Sequence, residues 1–202
     1  MNSLEIFRFV ASKYQLTKIL SGDYLTKISF YSFNADDIIL ISGERKPVFE
    51  EHAKKELHKN LYGIYSCNNR IEWLMNLQSN STPHAVLLGI KDELLPNVNE
   101  NPSELCEMIA LHEICHYIDW QNLKDMLSIS LSDCDKLMGA KLQKQAQKEA
   151  DRNSKQDIDH HENFGGILYH LIREQYPNDA SHKMFVALSK TLIEVENSTF
   201  WT

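Results

Sequence analysis

The sequence predicts an α+β fold in which a small mixed β-sheet packs on a buried helix. Three observations lead there. Short β-rich runs, YLTKISFYSF and HAVLLGI among them, stand beside longer segments of helical periodicity. The segment SELCEMIALHEICHYIDW, wound at about 100° per residue, is apolar on two nearly opposite sides, as in a helix covered from both. Of the 202 residues, 43% are hydrophobic, enough for a real core.

Along the chain, SLEIFRFVASKYQLTKIL reads as a helix. YLTKISFYSF alternates and DDIILIS is a short apolar run, so a hairpin or two strands follow. PVFEEHAKKELHKNLYGIY opens on Pro47, carries acids early and lysines late, and predicts a helix that stops near Gly63. RIEWLMNL and HAVLLGI read as strands around the turn-rich QSNSTP. LPNVNENPSE is a loop leading to a helix whose start is marked by Pro102 and Ser103. Three more helices are expected, in KLMGAKLQKQAQKEADRNSKQ, in DHHENFGGILYHLIREQYP up to Pro177, and in SHKMFVALSKTLIEVE. Residues 1–65 form an α/β segment with no assigned role and residues 66–202 the core, one compact domain in all.

Composition narrows the function. A net charge of −7 and a pI near 5.7 provide no basic field for nucleic acid. The start, MNSLEIFRFVASKY, lacks the pattern of a secretory signal, and no apolar run approaches membrane-spanning length. Cys67, Cys106, Cys115 and Cys134 form no CxxC pair and read as reduced thiols of a cytoplasmic protein.

The chemistry is concentrated in MIALHEICHYIDW, Met108 to Trp120. Leu105, Met108, Ile109, His112, His116 and Asp119 fall along one helical stripe, with Leu111, Ile114 and Ile118 nearly opposite. Two histidines on a buried helix need partners, because an unpaired polar group away from water is costly. Their i, i+4 spacing aims both imidazoles the same way, which suits one tetrahedral Zn²⁺. Glu113 is turned about 100° from His112, off the metal but within reach of water beside it. This is the HExxH arrangement, in which the cation acidifies water and the glutamate takes the proton.

A catalytic zinc site wants a third protein ligand. HHENF places His160 and His161 before Phe164 at a helix start, and KEADR holds Glu149 and Asp151. ALHEICHYI followed by HHENFGGIL resembles the SprT-like (Spartan-type) zinc metallopeptidases, a family of HExxH zincins. The resemblance covers roughly residues 70–172 and includes RIEWLM, AVLLGI and KDELL ahead of the metal helix. It implies a zincin-like fold, a Zn²⁺ cofactor and a peptide or protein substrate. Matching Phe164 to the phenylalanine of the family's H-G-x-x-F pattern makes His160 the third ligand. His161 stands where the family has glycine, so both histidines remain candidates. In the rival gluzincins a glutamate of an E-x-x-x-D helix supplies that ligand. Here Gln147 stands four before Asp151, which leaves Glu149 out of register.

Other residues are weighed beside these. Asp119 could orient the His116 imidazole, and Tyr117 or Tyr169 could donate to a developing oxyanion. Cys115 points away from the histidine stripe and reads as packing. His52, His58, His84, His170 and His182 carry no partner pattern. The expected function is zinc-dependent peptide hydrolysis, with HAVLLGI as an edge strand able to pair with an extended substrate. A gluzincin-type peptidase using Glu149 and a non-catalytic zinc-binding module are the alternatives. The family also suggests proteins bound to DNA as substrates, for which the chain shows no basic tail or zinc finger. A regulatory protease, a phage-borne protein and a toxin delivered into another cell would all carry the same site residues.

Overall fold

Asn2 starts the first helix, α1 (Ser3–Lys13), through a reciprocal cap. Its side chain accepts the Glu5 N–H at 3.0 Å, and the Glu5 carboxylate accepts the Asn2 N–H at 2.7 Å. Ile6, Phe7, Val10 and Ala11 repeat at helical spacing and are fully buried. A computed structural model of the chain describes residues 1–19, 27–33, 63–67, 85–152, 162–183 and 185–188. DDIILIS, RIEWLMNL and the helix predicted after Pro47 lie outside the described residues.

Among the described residues three strands follow: β1 (Lys27–Phe33), β2 (Gly63–Cys67) and β3 (Ala85–Lys91). They form one mixed sheet in the order β1-β3-β2, with β1 parallel and β2 antiparallel to β3. Ile28 is opposite Val86, Phe30 opposite Leu88, and Gly63 opposite Ile90. HAVLLGI is therefore the centre of the sheet, and its expected role as an edge strand is overturned. Its near-continuous apolar run suits a strand buried on both faces, as residues 88–91 are. Val86, Leu88 and Ile90 alternate onto one face and are all but inaccessible. The ring of Phe7 on α1 meets that of Phe30 on β1 at 5.5 Å. The sheet draws strands from both sides of residue 65.

Helix α2 (Glu104–Trp120) is capped by Ser103, whose Oγ accepts the Cys106 N–H at 3.2 Å, with Glu104 and Glu107 in its first turn. Every residue from Cys106 to Ile118 is buried, as the two apolar sides foretold. The helix contacts α1, β2, β3 and the later helix α4 (Glu162–Gln175). It ends where Asn122 takes a left-handed φ of 53° and the Leu123 N–H bonds to the Ile118 carbonyl at 2.8 Å.

Glu107 ties these layers together. Its carboxylate, 4% exposed, accepts from Lys13 Nζ at 2.7 Å, Tyr14 OH at 2.8 Å and Tyr176 OH at 2.9 Å. Burial, then the Glu107 charge, push the Tyr14 phenol far up, so it stays protonated and donates. Burial works against the Lys13 charge, and the bonds to Glu107 and Tyr176 outweigh it, raising its pKa. Glu107→Ala would leave two phenols and an ammonium without their acceptor. It is expected to cost about 2–4 kcal/mol, read as a lower urea midpoint.

Helix α3 (Asp133–Arg152) packs on α4. At its start Ser132 Oγ accepts the Asp135 N–H at 3.2 Å while Asp135 Oδ2 accepts the Ser132 N–H at 2.8 Å. Asp135 is wholly buried and also binds Arg173 Nε at 3.2 Å and His170 Nδ1 at 3.1 Å. Burial alone would raise its pKa. The Ser132 bonds, then Arg173 and His170, prevail and hold the carboxyl below its ordinary range. Residues 179–183 and 185–188 are helical, and Phe185 stacks on Tyr176 at 4.4 Å. No helix among the described residues is long and apolar enough to cross a membrane.

Candidate metal centre

One helical turn separates His112 from His116 on α2, and both imidazoles are buried, 1% and 6% exposed. Their Nε2 atoms converge to 3.2 Å, with ring centroids 4.8 Å apart. Two nitrogens at about 2.05 Å from one tetrahedral zinc would stand roughly 3.3 Å from each other. The pair therefore fits a shared cation with little movement.

Phe164, in the first turn of α4, forms a wall of this site. Its ring stacks on His116 at 4.2 Å and 21°, and meets His112 edge-on at 4.9 Å and 71°. Such contacts restrict imidazole rotation and exclude water from one side of the pair. The start of α4 is thereby held against the two histidines. A cavity of about 450 Å³, lined by Lys124, Asp125, Ile129, Ser130, Leu131, Lys136 and Asn163, shares that first turn.

Glu113 leaves α2 on a different face and is 2% exposed. It lies against β2, where a β-carbon placed on Gly63 would be 2.5 Å from Glu113 Oε1. The rotation of about 100° per residue thus directs His112 and His116 to α4 and Glu113 to the sheet.

Cys115 is inaccessible, and burial, then the Asp119 and Glu113 charges, push its thiol well up. Its side chain belongs to the hydrophobic core. Asp119 is half-buried one turn past His116, and Tyr117 is buried in the core. Tyr169 contacts Cys134 Sγ through its hydroxyl at 3.7 Å, and its ring meets His182 at 4.9 Å. His170 belongs to the Asp135 network.

Among the described residues no cluster of three His, Cys, Asp or Glu side chains is placed to hold a metal. His160 and His161 lie outside the described residues, as do His52, His58 and His84. Glu149 is in α3, and its side chain is likewise outside the description.

The close packing at Gly63 was missed by sequence reasoning, which placed a helix stop near it. Gly63 begins β2, and no described glycine has a positive φ. The buried charges Glu107 and Asp135 were missed too, although for Glu107 a carboxylate on a helix covered from both sides implies a partner. Compared with known proteins, the chain matches no protein-family model, no curated sequence and no solved structure.

Proposed function

We propose that the chain is a zinc-dependent metallopeptidase of zincin-like fold, akin to the SprT-like proteins, with His112, His116 and His160 as metal ligands and Glu113 as general base. The observation that carries this reading is the convergence of two buried Nε2 atoms to 3.2 Å, with a buried carboxylate on the adjoining face of the same helix. His160 is favoured as third ligand because Phe164, four residues on, stacks on His116 and meets His112 edge-on. Bound zinc supplies Lewis acidity that polarises the scissile carbonyl and lowers the pKa of water.

The chain's own residues do the rest. Glu113 accepts a proton as the water oxygen bonds to the carbonyl carbon. It then delivers that proton to the amine as the C–N bond breaks. Phe164 and the packed α2 keep bulk water from one side of the site, and a drier surround strengthens charge interactions there. An extended substrate has unpaired amides, and β2 can pair with them. Among the described residues β2 borders only β3.

Purified protein is expected to hold about one zinc per chain after mild dialysis, read by elemental analysis. A folded protein with no affinity for added zinc would end this reading. Zinc binding without chelator-sensitive cleavage of unfolded proteins or peptides would favour the non-catalytic zinc module.

A further inference from the structure

A strand residue normally places a side chain on each face in turn, and β2 meets α2 at a position where there is none. A β-carbon on Gly63 would come 2.5 Å from Glu113 Oε1, 2.9 Å from Glu113 Cγ and 2.7 Å from Ile109 Cγ2. All three distances are well inside the ordinary contact range of about 3.5–4.0 Å. The glycine is not needed for its backbone freedom, since its φ is not positive. It is needed for space, and two of the three atoms filling that space belong to one carboxylate side chain.

We propose that Gly63 is a positioning residue for Glu113, the absent side chain being the seat in which the general base is held. The inference rests on the reading of Glu113 as base. The seat has no easy way to give. β2 is held in register on β3 through the Gly63–Ile90 pairing. Ile109 and Glu113 are one turn apart on a helix buried over its whole middle, and both are almost inaccessible. A methyl group at position 63 must therefore move Glu113 away from the sheet and out of line with the water it deprotonates. A misplacement of about 1 Å can cost a catalytic group roughly 100-fold in rate.

The test combines stability with kinetics. Gly63→Ala, Glu113→Ala and the double variant are compared by urea unfolding of the full chain. Glu113→Ala removes both clashing atoms, so it should restore much of the midpoint lost in Gly63→Ala. Simple additivity, or a double variant no more stable than Gly63→Ala, overturns the proposal. The kinetic arm uses Gly63→Ala with Ile109→Leu, which removes the clashing Cγ2 while keeping volume. Casein and a mixed peptide library are the probes. The expected result is a kcat about 10–100-fold down with KM and zinc content unchanged. Recovery of wild-type kcat in this variant would make Gly63 a packing residue only and overturn the proposal. If the wild type cleaves neither probe, it is the peptidase reading that fails, and the unfolding cycle still decides whether Gly63 seats Glu113.

Discussion

Glu113→Gln is expected to keep its zinc and its fold while losing about 10²–10⁴-fold in peptide cleavage, the usual contribution of a general base. The substitution keeps side-chain length, so packing against β2 at Gly63 should survive. It removes the ability to take a proton from water. Because Glu113 faces the sheet and the two histidines face Phe164, metal content should not follow the loss of activity. The assay compares wild type and variant on unfolded proteins and a peptide library, with a chelator control and zinc measured in each preparation. Chelator-sensitive cleavage that survives the substitution would rule out the mechanism given above. If zinc only staples the fold, the variant should behave as wild type in every measurement.

The second large effect concerns metal affinity. His160→Ala should weaken zinc binding by more than about 100-fold. Loss of a residue that merely orients a ligand already costs about 10–100-fold, and loss of a ligand should exceed that. Glu149→Ala should change affinity little. Competition with a chromogenic chelator reads both. The reverse outcome would replace this ligand set with the gluzincin one. Equal small effects from His160→Ala and His161→Ala would remove both histidines from the ligand set or make them interchangeable. Position favours His160, for Phe164 anchors the start of α4 on the imidazoles of His112 and His116, and His160 precedes it by four residues in sequence.

Which side chains of α2 share a face could be read from residue order alone. A local period of 3.6 fixes which side chains share a face, so His112 and His116 together and Glu113 apart needed no tertiary information. The cap at Ser103, the burial of α2 on both sides and the strand at HAVLLGI are legible for the same reason, since each depends on neighbours within a few residues. Even Phe164 could be picked out as an anchor from its place after HHEN, though not what it would touch.

Where an element sits in the whole is another matter. HAVLLGI looked like an edge strand because strand order depends on partners distant in the chain. Its partners lie at 27–33 and 63–67, and the pairing of both with it makes it central. Gly63 looked like a helix stop because a glycine after a charged, periodic segment is locally ambiguous between a left-handed cap and a close approach. Only the packing of α2 against β2 resolved it, by placing Glu113 where a β-carbon would be. The same holds for Glu107. Its neighbours along the helix do not reveal that Lys13, Tyr14 and Tyr176 will converge on it. Residue order settles which side chains share a helical face, because that follows from backbone period. Strand order, the atoms that crowd position 63 and the partners of a buried charge are settled by contacts between segments far apart in the chain.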